Sequence, residues 1–345
     1  MIEYQHGNLI EADADALVNT VNCAGVMGKG IALQFKQAYP ANFRFYEKAC
    51  RKGEVQLGKM LVFEMDSMIN PKYIVNFPTK QHWRGRSRLK DIQSGLRALV
   101  DEVQRREITS IAVPPLGCGN GGLDWNEVRP LIEAEFSRLP HVRVLLFAPQ
   151  DTPAASLMPV GTEKPRMTRT RALFIKLLEQ YGHPGYQLSL LEVQKLAYFL
   201  QAAGEPLQLK FVKHKFGPYA DNLNHVLQRI EGHFIRGYGD RQVKSQIQLI
   251  PDAPEAAKVF LSDDAEAQNR LERVARLIEG FENPYGMELL ATILWVIQEE
   301  KVPSTDFEQV IAAIHAWSDR KRTTFRTDHI QIAWQHLREQ GWLTE

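Results

Sequence analysis

Ile111-Ala-Val-Pro-Pro-Leu-Gly-Cys-Gly-Asn-Gly-Gly122 places an apolar strand directly before a loop rich in glycine. An earlier stretch, Asn19-Thr-Val-Asn-Cys-Ala-Gly-Val-Met-Gly-Lys-Gly30, has the same plan. In both, the glycines fall where a strand ends and a helix is due to begin. A residue without Cβ lets backbone N–H groups approach a phosphate closely. Two such loops in one region point to a diphosphate-bearing ligand held between them. Neither loop ends in the Lys-Ser/Thr of a nucleotide-hydrolysing P-loop, and neither is a clean dinucleotide fingerprint.

The surrounding pattern agrees with a ligand bound at strand ends. Apolar or alternating runs near 2–6, 16–22, 60–66, 72–77, 109–114 and 142–148 predict strands. Helical patterns lie between them at 29–39, 42–52, 88–106 and 125–138. The third helix sets Leu89, Ile92, Leu96, Leu99, Val100 and Val103 on one face. Asp124 is placed to cap the fourth, with Glu127 three residues on, as in a capping box. Strands interleaved with helices predict a largely parallel sheet covered on both faces, whose ligands sit beyond the carboxyl ends of strands.

The chain has 345 residues, enough for about two domains. Residues 151–167 break the rhythm with several prolines and few large apolar groups, and are expected to be a linker. Domains are therefore expected at 1–150 and 168–345. The second is mainly helical, near 168–181, 189–203, 218–231, 264–280, 285–300, 305–317 and 328–340, and the alternating segment 240–251 is read as a strand or hairpin. A composition of 44% hydrophobic and 24% charged residues is that of a globular chain. No apolar run is long enough for a membrane span and no secretion leader is seen. Three cysteines, Cys23, Cys50 and Cys118, form neither a disulfide framework nor a zinc pattern. These features lead to the expectation of a cytoplasmic protein without metal or cofactor. Residues 1–150 carry 19 basic against 16 acidic side chains, and residues 171–345 a small acidic excess. That asymmetry alone does not identify a nucleic-acid binder.

The run Gly7-Asn-Leu-Ile10, the Asn19–Gly30 stretch and the Gly117–Gly122 loop resemble a macrodomain, the ADP-ribose-binding three-layer α/β/α fold with a mixed, largely parallel six-stranded sheet. Val26-Met-Gly-Lys-Gly-Ile-Ala-Leu-Gln-Phe35 and Tyr73-Ile-Val-Asn-Phe-Pro-Thr-Lys80 are similar to the branch that removes ADP-ribose from its attachment points. That branch includes the terminal ADP-ribose glycohydrolase type and the bacterial DarG type. In the second domain, Leu191-Glu-Val-Gln-Lys-Leu-Ala-Tyr-Phe-Leu200 and Lys215-Phe-Gly-Pro-Tyr219 resemble the helical toxin-neutralising module called Panacea, related to SocA-type antitoxins. The pairing is similar to the DarG-type DNA ADP-ribosyl glycohydrolase antitoxins. Such a family implies removal of ADP-ribose from thymidine bases of single-stranded DNA, and binding of a cognate DarT-type DNA ADP-ribosyltransferase toxin.

The resemblance also implies site roles. Asn8 and Leu9 lie beside the adenine, with the Asn8 side-chain oxygen accepting from its amino group. Asn22 is expected near the distal ribose, with Thr20 lining the same wall and Thr79 in the same pocket. Met27, Gly28, Lys29, Gly30 and Ile31 form the first loop against that ribose and the diphosphate; Lys29 either pairs with phosphate or points into water. Gly117, Cys118, Gly119, Asn120 and Gly121 wrap the diphosphate through backbone amides, and Cys118 is read as an inert small thiol rather than a nucleophile. Lys80 is the implied catalytic amine. To attack the ribose anomeric carbon it must be neutral, which requires burial or nearby positive charge. The relative's acidic residue in the second loop corresponds here to Gly121, and its role is not transferred to Asp124. Trp83, Arg84 and Arg86 follow Lys80 in a cationic stretch suited to phosphates and an unpaired base, and are expected to contact DNA.

Other readings share the same glycines: a non-catalytic ADP-ribose reader, or a protein-carboxylate ADP-ribosyl hydrolase with a DNA-binding tail. The segment Thr327–Leu343 resembles the helix end of a winged-helix unit, while the domain's acidity fits imitation of DNA instead.

Overall fold

A computed structural model describes residues 1–67, 69–149, 158–182, 186, 188–238 and 246–343. The chain divides into two compact units, the first extending through Glu163 and the second beginning at Lys164. Of the segment read as a linker, 151–157 lies outside the described residues. Met158 is buried, and Gly161 N donates to Gln37 O at 2.8 Å, so 158–163 lies against the first unit.

The first unit runs β1 (Ile2–Gln5), β2 (Ala16–Asn22), α1 (Gly30–Ala38), α2 (Pro40–Arg51), β3 (Leu61–Glu64), β4 (Tyr73–Lys80), α3 (Leu89–Arg105), β5 (Ser110–Val113), α4 (Trp125–Phe136) and β6 (Arg143–Phe147). The sheet order is β1-β6-β5-β2-β4-β3. All neighbours are parallel except β3, which pairs antiparallel with β4. The period of two decides the layers. Val18, Val75, Phe77, Ile111, Val113, Val144 and Leu146 pack with Leu96, Leu99, Val128 and Ile132 of α3 and α4. Leu17, Ile74, Ala112 and Leu145, the residues between, pack on the other face with Phe35 of α1. Asp124 caps α4 by accepting from Asn126 N at 2.9 Å.

At the far edge from the glycine loops, Asp15 ties three strands at their starts. It accepts from Thr109 N at 3.0 Å, Ser110 N at 3.1 Å and Lys72 Nζ at 2.9 Å. Burial works against its charge, but the Thr109 hydroxyl, Lys72 and the backbone N–H outweigh that and hold the carboxyl at about 2.

The second unit contains α5 (Arg169–Tyr181), β7 (Leu188–Ser189), α6 (Leu190–Ala202), β8 (Phe211–His214), β9 (Gly217–Ala220), α7 (Leu223–Ile230), β10 (Ile235–Arg236), β11 (Gln246–Leu249), α8 (Ala253–Phe260), α9 (Ala265–Ile278), α10 (Pro284–Gln298), α11 (Phe307–Trp317), α12 (Asp319–Thr324) and α13 (Thr327–Glu339). The helix expected at 218–231 is shorter. Gly217–Ala220 is instead a strand paired antiparallel with Phe211–His214. Gly217 has φ +87, a conformation that strains other residues, and Ala220 exchanges two hydrogen bonds with the Gln194 amide, at 2.9 and 3.0 Å. The α8 and α12 helices were not expected. Of 240–251, Gln246–Leu249 is a strand between β10 and β7, and 240–245 lies outside the described residues. No helix among the described residues is long and apolar enough to cross a membrane.

α10 is buried almost all round and carries Glu288 into the core. Glu288 accepts from both Arg320 NH groups, at 2.7 and 3.0 Å, and from the fully buried Lys321 Nζ at 2.7 Å. Breaking a buried, hydrogen-bonded pair leaves an uncompensated charge and typically costs about 3–5 kcal/mol. Glu288→Ala is therefore expected to destabilise the second unit by about that much, and Glu288→Leu no less. Denaturant unfolding followed through Trp295, Trp317, Trp334 and Trp342 measures it; a loss below about 1 kcal/mol would show the cluster to be solvated.

Candidate active site

The two glycine loops extend from the carboxyl ends of β2 and β5, neighbours at the centre of the sheet, and Lys80 ends β4 beside them. Open parallel sheets bind ligands at this position. β4 reaches it through an irregularity. Val21 pairs with Pro78 but Asn22 pairs with Lys80, so Thr79 is an extra residue in the ladder. Proline has no N–H to donate, and a bulge beside it re-aims the side chain that follows. Thr79 turns inward, its hydroxyl donating to Val21 O at 3.3 Å. Lys80 emerges half-buried, with Nζ donating to Asn120 O in the second loop at 2.9 Å. Burial lowers the Lys80 ammonium below its ordinary value. Sequence left burial and cationic neighbours both open as causes; burial is the one that operates.

Asn22 builds the first loop. Its Oδ1 accepts from Ala24 N at 2.9 Å, its Nδ2 donates to Val26 O at 2.6 Å, and the buried Tyr46 hydroxyl donates to Asn22 O at 2.5 Å. Its amide therefore shapes the wall expected to face a ribose. The Met27 side chain is in the core, so only its backbone faces the loop. Lys29 is exposed at the start of α1 and provides no side-chain cap. The first N–H groups of that helix are left open, with the positive end of its dipole. Thr20 and Ile31 are half-buried beside this loop.

The second loop is held open in a similar way. Cys118 N, Gly122 N and Leu123 N donate to Pro115 O, Gly119 O and Gly117 O. The N–H groups of Gly119, Asn120 and Gly121 between them donate to no protein acceptor among the described residues. Three successive free N–H groups form a nest for an anion. Glycine is needed at both ends. A Cβ on Gly121 would lie 2.3 Å from Gly117 O and 2.3 Å from Ser87 Oγ, and Gly117 has φ +74. No acidic side chain fits at 121, and Asp124 is engaged as a helix cap. The two loops meet where a Cβ on Gly30 would lie 3.0 Å from Asn120 Nδ2.

Asn8 is placed by a local turn. Its Oδ1 accepts from Ile10 N at 3.1 Å, capping a short 3-10 turn at Leu9–Glu11, and its buried Nδ2 has no partner. Its Oδ1 keeps a second lone pair that can accept from an amino group, as the resemblance implies, and the Nδ2 adds a donor beside it. Leu9 is buried beneath it. Trp83 stays 44% exposed, with the Arg84 guanidinium 4.5 Å over its ring and the His82 ring 5.5 Å away. Arg84 and Arg86 are exposed and make no ion pair among the described residues, whereas Arg88 pairs with Asp91 at 2.8 Å.

Sequence reasoning missed a buried amide chain under the site. Asn19 Nδ2 donates to Asn76 Oδ1 at 3.0 Å, and Asn76 exchanges bonds with Asn42 at 2.7 and 3.2 Å. The signal was available: asparagines inside apolar strands must find partners. Ser87, also missed, is buried against the second loop, and its N donates to Gly121 O at 3.0 Å.

A three-layer unit with two such loops at adjacent strand ends is a macrodomain, and the Macro domain family model matches residues 18–132. Over 342 residues the chain is 48% identical to a DNA ADP-ribosyl glycohydrolase of Thermus aquaticus, covering 99% of this chain and 94% of that one. It is 43% identical to a DNA ADP-ribosyl glycohydrolase of Mycobacterium tuberculosis, covering 96% and 98%. A DNA ADP-ribosyl transferase-DNA ADP-ribosyl glycohydrolase fusion protein of Thermosipho africanus is 34% identical over 42% of each chain. The chain belongs to the DNA ADP-ribosyl glycohydrolase family.

Burial raises the Cys118 thiol to about 11, with Asp124 adding to the effect. At pH 8 its thiolate is then roughly one part in a thousand. Iodoacetamide should alkylate Cys118 in the native protein about a hundredfold more slowly than a free thiol, as peptide mass spectrometry would measure. Labelling at the free-thiol rate would show that burial does not suppress its thiolate, and faster labelling would mark it as an activated nucleophile.

Proposed function

We propose that this chain removes ADP-ribose from thymidine bases of single-stranded DNA by hydrolysing the N-glycosidic bond, and that its second unit binds the cognate DNA ADP-ribosyltransferase toxin, as an antitoxin does. The observation that carries the hydrolase reading is the half-buried Lys80 amine, held by Asn120 O where the two loops come together. The loops' free N–H groups seat the diphosphate, which leaves the distal ribose beside that amine. The neutral amine attacks the anomeric carbon. As the carbon–nitrogen bond breaks, its electron pair leaves with the base nitrogen, which takes up a proton. Water then displaces the lysine, releasing ADP-ribose and restoring the amine. A donor at Asn120 O's position is not needed: the carbonyl accepts one N–H and so directs the nitrogen lone pair away from itself.

The exposed Trp83 with unpaired Arg84 and Arg86 supports a grip on DNA beside the modified base, the cations on phosphate and the ring on a base face. The transferase–glycohydrolase fusion of Thermosipho africanus supports a transferase partner, since there both activities are named in one chain.

Lys80→Ala should lower release of ADP-ribose from a modified thymidine oligonucleotide by at least about a hundredfold while binding free ADP-ribose within a few-fold of the parent. In the parent, release should rise with pH as the amine loses its proton, levelling off below the ordinary lysine value because burial favours the neutral form. Retained release by Lys80→Ala would leave a reader, or a hydrolase using another group.

Alanine at Trp83, Arg84 and Arg86 together should weaken the apparent affinity for modified oligonucleotide, flatten its salt dependence and spare binding of free ADP-ribose. An unchanged salt slope would place the DNA elsewhere.

A further inference from the structure

We propose that the Ser87 hydroxyl is a further ligand-binding group of this site, donating a hydrogen bond to a phosphate oxygen seated on the second glycine loop. The inference deepens, and rests on, the ADP-ribose reading above. Ser87 ends the cationic stretch after Lys80 and is 95% buried in the curl between Gly117 and Gly121, as its 5% relative exposure records. Its Oγ would lie 2.3 Å from a Cβ on Gly121 and 3.2 Å from one on Gly117. Its N–H is already committed to Gly121 O at 3.0 Å, so the side chain is fixed against the loop.

The hydroxyl itself has no hydrogen-bond partner among the described residues. A buried polar group left unpaired costs free energy, and alanine would fill the same space without that cost. Serine is therefore disadvantageous in the empty site and becomes favourable once a partner arrives. The neighbouring groups define that partner. The free N–H groups of Gly119, Asn120 and Gly121 already select an anion, and a hydroxyl adds a donor without adding charge. The position that is acidic in the related glycohydrolase type is Gly121 here, and the Ser87 oxygen lies where a side chain from it would begin. The hydroxyl adds a neutral donor beside the loop's N–H groups. The chemical class is thus a phosphate diester or diphosphate, and an uncharged nucleoside gains nothing from Ser87.

The same backbone pair makes the site respond as one piece. Lys80 Nζ holds Asn120 O and Ser87 N holds Gly121 O, so both ends of the Gln81–Arg86 loop are fastened to consecutive carbonyls of the second glycine loop.

Calorimetric titration of the full chain with ADP-ribose, ADP and adenosine tests the proposal in the parent, Ser87→Ala and Ser87→Gly. Both variants should bind ADP-ribose and ADP about tenfold more weakly and bind adenosine as the parent does, while Ser87→Ala melts no lower than the parent. If the parent binds ADP-ribose and Ser87→Ala binds it within twofold, the hydroxyl is only a filler and the proposal fails. An equal loss for adenosine would mean that the loop has collapsed, and also rejects it. A parent that binds neither ADP-ribose nor ADP overturns the site reading itself.

Discussion

One hydrogen bond organises the first unit's chemistry: Lys80 Nζ to the carbonyl of Asn120. It joins the end of β4 to the loop after β5, across the end of β2 that lies between them. The bond places an amine against a loop with three N–H groups that have no partner among the described residues, so one short contact sets the distance between them. Its geometry depends on the bulge at Thr79, which follows from a proline that cannot join the ladder. A regular strand would present the following side chain to the opposite face. Beneath it, the buried Asn19, Asn76 and Asn42 amides cross-link β2, β4 and α2. A polar core chain of this kind is stabilising only when its members find partners, and it specifies one register of β2 against β4.

The second glycine loop works by exclusion. Gly121 has no space for a Cβ, and the neighbouring Ser87 and Gly117 leave none to be gained by a small shift, because one obstacle is backbone. The loop therefore cannot carry the acid that the related glycohydrolase type carries, and Asp124 cannot move in while it caps α4. In the mechanism proposed above, proton transfer to the departing base then falls to water or to the substrate. The Lys80 amine is bonded to the loop, and its lowered affinity for a proton comes from burial rather than from a paired charge. A site tuned in this way has few charged neighbours to be screened by salt; the charges that salt does screen, Arg84 and Arg86, belong to the exposed loop instead.

The architecture of the first unit was legible because each strand and helix has the period its burial demands. Leu17 between Ala16 and Val18, or Leu145 between Val144 and Leu146, assigns a face without any tertiary knowledge. The glycine loops were legible because glycine at a strand end has few other uses. Ser87 was not: a serine among arginines reads as solvated loop, and only the fold brings it beneath Gly121. The Asn8 position was legible, but the turn that holds it was not: Ile10 N fixes its side-chain oxygen, a local contact that composition does not reveal. In the second unit, Gly217-Pro218 has the form of a helix start, yet a hairpin wins because Gln194 supplies both hydrogen bonds that Ala220 needs. Short helices such as α8 and α12 span too few turns to establish a period.

The second unit separates the residues that identify a fold from those that meet a partner. Its two most recognisable stretches are bonded to each other: Gln194 to Ala220, and the buried Lys195 ammonium to Pro218 O at 2.6 Å. Burial lowers Lys195 and Lys321, and Glu288 opposes that by favouring their charged forms. Lys195 holds the hairpin onto α6, Glu288 and Lys321 join α10 to α12, and none of the three is open to another chain. What remains outside includes Val212, Val259, Phe260 and Ile332, each about half exposed or more. The packing of the unit does not fix the identity of these exposed residues, whereas it does fix the interior. A motif can therefore identify the class of module and remain silent on what it captures.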